Sequence, residues 1–268
     1  MKAMILAAGL GTRLRPLTDD RPKALVEIDG RTLLEIALSR LQNFGVREVI
    51  INVHHFADMI VEYLKTNDNF GMTIEVSREE TLLNTGGGLK KAAHFFVGDS
   101  VEDSVEDSSR PDSSGEEPFI VHNVDVLSTI NLRRMVQFHT ENKALATLAV
   151  QDRETSRYLL FDDQLQLCGR SSGADQEPEL VRPSLARSPL QVQALAFSGI
   201  HVISPRLPER MTEDGAFSII TSYLRLAAHG EKILAFRADE YYWRDLGRPE
   251  NVAQAAQDLK QGIAPLVP

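Results

Sequence analysis

The chain has 268 residues, 43% hydrophobic and 25% charged, a composition typical of a soluble globular protein with a substantial core. Its net charge of −9 argues against general nucleic-acid binding, and no apolar run approaches the ~20 residues of a membrane-spanning helix. The single cysteine, Cys168, leaves no internal disulfide and favours a reducing, cytoplasmic location.

From the N-terminus to about residue 150, apolar strands alternate with amphipathic helices. The predicted strands are KAMILAA, REVIINV, MTIEVS, PFIVHNVDV and KALATLAV, and the predicted helices between them are TLLEIALSRLQNFG, HFADMIVEYLK, GGGLKKAAHFF and NLRRMVQFHTEN. This spacing predicts an α/β fold with a doubly wound, mixed but mostly parallel, Rossmann-like sheet and helices on both faces. Ligands of such sheets bind beyond the carboxyl ends of the strands, where the polar residues of this chain cluster.

One predicted helix and strand are separated by an acidic stretch, residues 98–117, with the sequence GDSVEDSVEDSSRPDSSGEE. It holds eight acidic residues and one arginine, and therefore −7 of the net charge. Because it is poor in large apolar side chains, we interpret it as a flexible surface insertion. A phosphorylated or partner-binding segment is the alternative.

After residue 150 the pattern becomes richer in strands. RYLLFDDQLQLCG predicts a β-hairpin, LQVQALAFSGIHVIS one long strand or two, and KILAFRA and YYWRDLG closing strands. Two helices, AFSIITSYLRLAAHG and RPENVAQAAQDLKQG, complete the chain. We therefore expect a smaller β-rich part after the doubly wound half.

The first strand ends in the loop GLGTRLRPLTDDRPKAL, which combines glycines with basic side chains. Glycines at the end of a strand expose backbone N–H groups that can hold phosphates, and Arg13 can bind phosphate oxygens with two hydrogen bonds. Arg15 adds positive charge, and Lys23 follows the stiff Pro22. The loop is therefore a candidate phosphate site.

Two common phosphate-binding loops do not fit this stretch. It lacks the Lys-Ser/Thr pair of a P-loop, and Leu14 stands where a dinucleotide fingerprint has its third glycine. A turn whose glycines are only steric is the alternative to a phosphate site.

The stretch LAAGLGTRLRPLTDDRPKAL resembles the signature of the sugar-1-phosphate nucleotidyltransferases. Four later segments, NTGGGLKKA, VHNVDV, FSGIHVIS and WRDLGRPEN, resemble further motifs of that family in the same order. The likeness is greatest to short members, namely the N-acetylmuramic acid-1-phosphate uridylyltransferases, with mannose-1-phosphate guanylyltransferase-like proteins nearby. It implies a single glycosyltransferase-A-like domain with a nucleotide-binding half, 1–150, and a sugar-binding half, 151–268.

The resemblance also implies roles for individual residues. Its nucleotide-binding positions, which contact the base or wrap the triphosphate, correspond to Ala7, Ala8, Gly9, Gly11, Thr12, Arg13, Lys23, Thr85, Gly86 and Gly87. The residues expected to act in catalysis are Lys23, Arg13 and Asp125, and those expected at the sugar are Asn123, Ser198 and Gly199. For the three consecutive glycines, the alternative role is to form a helix N-terminus.

Asp125 and Asp245 match the two aspartates with which this family binds Mg²⁺. Two carboxylates suit an ion that takes few protein ligands together with waters and substrate phosphates. The sequence departs from the family at Val124, where glycine is usual, which leaves the base and the sugar open. His122 is interpreted as a packed strand residue rather than a ligand, and Trp243 as a core residue supporting the strand of Asp245.

The implied reaction joins an NTP and a sugar 1-phosphate to give an NDP-sugar and pyrophosphate. A phosphate monoester, with a second pKa of about 6, is already an anionic nucleophile near pH 7, so no general base is needed. UTP and N-acetylmuramic acid 1-phosphate are the favoured substrates. The alternatives are synthesis of GDP-mannose, transfer from CTP to a phosphorylated amino alcohol, and a non-catalytic regulator that binds sugar nucleotides. We expect small-molecule partners, no nucleic acid or membrane, and a monomer or homodimer.

Overall fold

The computed structural model describes residues 1–97, 117–172, 177–181 and 192–264. The predicted flexible insertion falls almost entirely outside the described residues, which resume at Glu117. The carboxylate of Glu117 forms a salt bridge with the terminal amino group of Met1, with 2.7 Å between nitrogen and Oε2. The start of the strand that follows is thereby fixed beside the start of the chain.

The strands of the described ranges follow the predicted order, with small hairpins added. They are β1 (Lys2–Leu6), β2 (Glu27–Ile28), β3 (Arg31–Thr32), β4 (Glu48–Val53), β5 (Thr73–Arg78), β6 (Phe119–Asn123), β7 (Val126–Ser128), β8 (Ala146–Gln151), β9 (Tyr158–Phe161), β10 (Leu167–Ser171), β11 (Glu179–Leu180), β12 (Gln193–Ile203), β13 (Ile233–Arg237) and β14 (Trp243–Asp245).

The helices also lie close to their predicted positions. They are α1 (Leu33–Phe44), α2 (Ala57–Thr66), α3 (Asn84–Lys91), α4 (Leu132–Glu141), the short α5 (Arg206–Glu209), α6 (Ile219–Ala228) and α7 (Pro249–Lys260). Within the described ranges, each helix is too short or too polar to cross a membrane.

The main sheet has a parallel part and an antiparallel part that meet at β12. Strands β5, β4, β1 and β6 are parallel neighbours in that order, and β8 is parallel to β13. Between them β12 is antiparallel to both β6 and β8, and its first residues pair with β9, which continues through β10 to β11. The predicted mixed sheet with a β-rich second part is confirmed. The division into two functional halves stays a prediction, and one sheet runs through both.

Alternation along the central strand explains why helices cover both faces. Ala3 and Ile5 of β1 point into a core shared with α1, α2, α4 and α7, whereas Met4 points into a core shared with α3 and α6. All three side chains are fully buried. A strand buried on both faces reads as a continuous apolar run, which is why KAMILAA was recognisable as a central strand.

The parallel strands bring their carboxyl ends to one edge of the sheet. In register, Leu6 at the end of β1 lies opposite Asn52 of β4 on one side and Asn123 of β6 on the other. The loops that leave these strands therefore begin side by side. This edge is where two cavities open.

Candidate active site

Two cavities share one boundary at this edge. The smaller, of about 440 Å³, lies between the loop after β1 and the segment at the start of α3. The larger, of about 700 Å³, lies between β12, β14 and the β9–β11 hairpins. Both are lined by Asn123, Asp125, Arg157 and Ser218. A ligand in each cavity would therefore meet its neighbour beside Asp125.

The loop after β1 is folded back on itself around Gly11. This glycine has a φ of +66°, and a Cβ here would lie 3.0 Å from Thr18 Cγ2 and 3.2 Å from Lys23 Cβ. Thr18 Oγ1 also donates a hydrogen bond to the Gly11 carbonyl, at 2.8 Å. A left-handed glycine without a side chain thus allows Thr18 and Lys23 to pack closely against this turn.

Lys23 and Asp125 form an ion pair at the boundary of the two cavities. Their side chains are 14% and 12% exposed, so water screens the pair only partly. Asp125 lies in the two-residue connection between β6 and β7, and its backbone oxygen accepts a hydrogen bond from Leu246 N at 2.8 Å. The carboxylate is therefore placed by backbone contacts on both sides.

Asp245 reaches the same place from the other end of the chain. Strand β14 pairs antiparallel with β7, and this register sets Asp245 opposite Val126, the residue after Asp125. Burial raises the pKa of Asp245, and the negative charge of Asp125 raises it further. Two influences lower this pKa. The Gly247 N–H donates a hydrogen bond to Asp245 Oδ1 at 2.6 Å, and the positive charges of Lys23 and Arg13 stabilise the carboxylate. The two aspartates therefore act electrostatically on each other.

This pair of carboxylates suits a hard divalent cation. Mg²⁺ takes one or two protein carboxylates and fills the remaining positions with waters and phosphate oxygens. No cluster of three or more His, Cys, Asp or Glu side chains occurs in the described ranges, so a site made by protein ligands alone is absent there. Asp125 already has a cationic partner, the Lys23 ammonium. The donor set fits Mg²⁺ bound together with a phosphorylated substrate.

Arg13 lies close to Asp245. A Cβ on Gly247 would lie 2.7 Å from Asp245 Oδ1 and 2.9 Å from Arg13 Nη2, so the guanidinium and the carboxylate converge on this glycine. Gly247 was not singled out from the sequence, although it lies within the WRDLGRPEN motif. The need for a residue without a side chain here becomes visible only once the two segments are packed together.

The predicted nucleotide-binding residues fall into two groups. Ala8, Gly9, Lys23 and Thr85 line the smaller cavity, whereas Ala7, Gly11, Thr12, Arg13, Gly86 and Gly87 lie outside its lining. A side chain on Gly86 would overlap the ring of Phe217, and one on Gly87 the carbonyl oxygen of Gly215. Packing against the 215–219 segment is therefore sufficient reason for these two glycines.

Two buried residues that the sequence reasoning missed connect the walls of the smaller cavity. Asn52 Oδ1 accepts a hydrogen bond from Ala7 N at 2.8 Å, and its Nδ2 donates to Glu79 Oε1 at 2.7 Å. The other oxygen of Glu79 accepts from Leu83 N at 2.9 Å. These three hydrogen bonds, the Asn52–Glu79 network, connect the loop after β1 to the segment before α3. Polar residues at the ends of two adjacent strands were the signal that could have revealed it.

The three predicted sugar-side residues lie together in the larger cavity. Gly199 has a φ of +74°, and a Cβ there would lie 2.8 Å from Asn123 Nδ2 and 2.9 Å from Val126 Cγ2. The register of β12 on β8 shifts between Phe197 and His201, a bulge that contains Ser198 and Gly199. The bulge turns this part of β12 toward Asn123.

Trp243, expected in the core, packs partly buried against it and also lines the larger cavity. Its Nε1 donates to the Ser198 carbonyl at 2.7 Å, which joins β14 to the bulge of β12. The guanidinium of Arg153 lies over its ring, with Cζ 3.6 Å from the centroid. Arg153 was also missed, because nothing in the sequence DRETSR distinguishes it from a surface loop residue.

Val124 and His122, which flank Asn123, both have defined positions. Val124 is buried, lines the smaller cavity and donates its backbone N–H to the Leu6 carbonyl at 3.2 Å. His122 is fully buried in β6, and its Nδ1 lies 2.7 Å from the Asn123 carbonyl. Burial lowers the pKa of His122 to about 3. It is therefore the neutral, packed strand residue that the sequence favoured.

Comparison with known proteins agrees with this architecture. The model of the nucleotidyl transferase family matches residues 2–161. An N-acetylmuramate alpha-1-phosphate uridylyltransferase from Caulobacter vibrioides is 32% identical over 261 residues, 92% of each chain. A mannose-1-phosphate guanylyltransferase from Mycobacterium tuberculosis is 27% identical over 264 residues, which is 98% of this chain but 66% of that protein.

The fold is also found in solved structures. HddC from Yersinia pseudotuberculosis, crystallised in complex with GMP-PN, aligns with a TM-score of 0.71 over 96% of this chain and 99% of its own, at 21% identity. The family resemblance carried by the sequence motifs is confirmed. From β1 through β9 the chain matches a single family model, and it belongs to the nucleotidyl transferase family.

Proposed function

We propose that this chain transfers a nucleotidyl group from a nucleoside triphosphate to a sugar 1-phosphate and releases pyrophosphate. The observation that carries the proposal is the meeting of two cavities at Asp125, with Lys23 and Asp245 beside it. One cavity would hold the nucleotide and the other the sugar, so that the two phosphates face each other at the boundary.

The chemistry needs positioning and charge stabilisation rather than proton transfer. The sugar phosphate is already an anion near pH 7, because its second pKa is about 6. Its oxygen would attack the α-phosphorus in line with the departing pyrophosphate. Lys23 and Arg13 would stabilise the negative charge that develops on the phosphates. Holding both substrates at the shared boundary would supply the entropic part of the rate enhancement.

Asp125 and Asp245 would hold Mg²⁺. When bound, Mg²⁺ supplies positive charge that reduces the repulsion between the two anionic substrates and stabilises the leaving pyrophosphate. Asp125 is also paired with the Lys23 ammonium. We infer that Lys23 turns from this carboxylate toward the phosphates when both substrates and the metal are present.

The favoured substrates are UTP and N-acetylmuramic acid 1-phosphate. They are supported by the Caulobacter uridylyltransferase, which matches this chain over nearly the full length of both proteins. Synthesis of GDP-mannose is the second candidate, supported by several guanylyltransferase relatives of 27–28% identity, although the chain spans only about two thirds of their length. A non-catalytic regulator is disfavoured, since Lys23 and both aspartates lie together.

Pyrophosphate release tests this function directly. The purified chain is mixed with Mg²⁺, each of UTP, GTP, CTP, ATP and dTTP, and a panel of sugar 1-phosphates. We expect release with UTP and N-acetylmuramic acid 1-phosphate to exceed that with every other pair. Preference for GTP and mannose 1-phosphate would establish the second candidate. Tight binding of a finished sugar nucleotide without turnover of any pair would support the regulator.

A further inference from the structure

Three arginines line the larger cavity, and they differ in their partners. Arg170 is neutralised by Glu179, with 2.6 Å between Nε and Oε2. Arg153 and Arg157 form no ion pair with any described residue. The negative charge of Asp245 acts on Arg153, but neither Arg153 nor Arg157 has a salt-bridge partner among the described residues, so both guanidinium groups can bind a ligand in this cavity.

Arg153 is the more firmly held of the two. Its Cζ lies 3.6 Å from the centre of the Trp243 ring, and its Nη2 donates to the Phe197 carbonyl at 2.9 Å. Its Nε is buried and has no hydrogen-bond partner. A guanidinium stacked on an aromatic face and fixed at one nitrogen keeps a planar edge in a defined direction, the geometry that binds a carboxylate.

Other buried polar atoms on the same wall also lack partners. Within the described ranges, the buried side-chain atoms without a hydrogen-bond partner include Ser198 Oγ and Asn123 Oδ1, together with Arg153 Nε. All three belong to residues that line the larger cavity. Buried polar groups are normally satisfied, and a cluster of unsatisfied ones beside a cavity is typical of a site that completes its hydrogen bonds with a polar ligand.

The two unpaired arginines occupy different places. Arg157 is exposed and lines both cavities, beside Asp125, where the reacting phosphates would meet. Arg153 lines only the larger cavity and belongs to its Trp243 wall. Lys23 and Arg157 already supply positive charge at the boundary. A further fixed cation on the sugar side fits a second anionic group on the acceptor.

We propose that the acceptor is an acidic sugar 1-phosphate and that Arg153 binds its carboxylate, an inference that rests on the proposed function. Arg153 would thereby be a specificity-determining residue, which distinguishes a sugar acid from a neutral sugar of the same size. The Caulobacter relative is named for a substrate of this class, N-acetylmuramate. Mannose 1-phosphate has no carboxylate and would leave the Arg153 guanidinium unpaired.

A matched pair of ligands tests the assignment. N-acetylmuramic acid 1-phosphate and N-acetylglucosamine 1-phosphate differ only in the lactyl ether that carries the carboxylate. Their dissociation constants are measured by calorimetry, and their kcat/KM with UTP by pyrophosphate release. The proteins are wild type, Arg153→Gln, Arg153→Lys and the control Arg170→Gln. Thermal unfolding identifies any variant that fails to fold.

We expect Arg153→Gln to weaken binding of the acidic ligand about 10- to 100-fold, the effect of losing a charged hydrogen-bond pair, and to change the neutral ligand about threefold or less. Arg153→Lys should recover part of the loss, because it keeps the charge without the planar edge. Arg170→Gln should change the two ligands by a similar, small factor, since Glu179 already neutralises that arginine.

Three other results would contradict either the inference or the proposed reaction. An equal loss for both ligands in Arg153→Gln would assign the arginine to the phosphate and overturn the inference. Wild-type binding that does not favour the acidic ligand would overturn it as well. Selective binding that depends on Arg153, without release of pyrophosphate from any nucleotide, would support the carboxylate site while refuting the proposed transfer reaction.

Discussion

The smaller and the larger cavity are built in different ways. The smaller is formed mostly by short segments at or after the ends of β1, β4, β5 and β6, with Lys23 as its lysine, and it shares Arg157 and Ser218 with the larger cavity. The larger is formed by residues from seven strands, helix α6 and the loops between them, including three arginines and the aromatic residues Tyr158, Phe197 and Trp243. Backbone recognition uses few residues in a fixed local pattern, whereas side-chain recognition gathers residues from distant segments.

This difference in construction suits the two cavities to different kinds of ligand group. A backbone cradle is suited to a group common to many ligands, such as a triphosphate. Oriented guanidinium and aromatic side chains are suited to one ligand shape. We therefore expect changes at the shared boundary to abolish turnover, changes in the smaller cavity to affect the nucleotide, and changes in the larger cavity to affect the sugar.

The largest effect is expected at the boundary itself. Asp125→Ala and Asp245→Ala should each lower kcat at least about 10²–10³-fold, the typical cost of one preorganised electrostatic group. Both proteins should stay folded, which thermal unfolding would check. Near-normal pyrophosphate release by folded Asp125→Ala would refute the metal assignment, and so the idea that both cavities depend on one shared centre.

Lys23 lies at the same boundary but belongs to the smaller cavity. Lys23→Met should lower kcat about 10²-fold, because a charge that stabilises the phosphates is lost. It should also make the protein more responsive to Mg²⁺, since the ion no longer competes with an ammonium for Asp125. The rise in melting temperature on adding Mg²⁺, compared with wild type, measures this. An unchanged rise would argue that Lys23 and the metal do not share the carboxylate.

Loss of the Asn52–Glu79 network should affect the smaller cavity alone. Asn52→Ala leaves Ala7 N and the Glu79 carboxylate without their partner, at a cost of about 1–3 kcal/mol in the free energy of unfolding. We expect KM for the nucleotide to rise about tenfold, with KM for the sugar phosphate nearly unchanged. Asn67→Ala, at an exposed helix end, is the control. Equal rises in both KM values would show that the two cavities are not independent.

The smallest effect concerns the sheet that supports both cavities. Burial lowers the pKa of His122 and His201 to about 3, and that of His139 to about 4. Because the unfolded chain binds these protons near pH 6.5, the free energy of unfolding should fall as pH decreases from about 6.5 toward 4, by up to about 1.4 kcal/mol per pH unit for each histidine.

Urea unfolding between pH 7 and pH 5 measures this slope, and His139→Gln should reduce it. His139 Nδ1 lies 3.0 Å from Thr147 Oγ1. The side-chain amide of a glutamine at position 139 can form a hydrogen bond with the same oxygen. Probes placed in each cavity should report one transition, since one sheet carries both. A slope that is unchanged in His139→Gln would show that this histidine is not held neutral in the folded protein.

Much of the part around the smaller cavity could be predicted from the sequence. Strand and helix positions followed from the apolar periodicity, because β1 is buried on both faces and the helices bury one face each. The loop from Gly9 to Lys23 was recognisable because glycine conformations and cationic residues are local features. Asn52 and Glu79 were missed since each is an ordinary polar residue until the other is placed beside it.

By itself, the sequence determined the α/β class, the order of the elements, the family and the cationic loop, all of which depend on patterns within a few residues of one another. Only the tertiary structure placed Asp245 beside Asp125 through β14 and β7, and Arg153 over Trp243. The physical reason is that strand pairing and side-chain packing decide which distant residues meet. The charge and shape of the larger cavity depend on these contacts between distant segments.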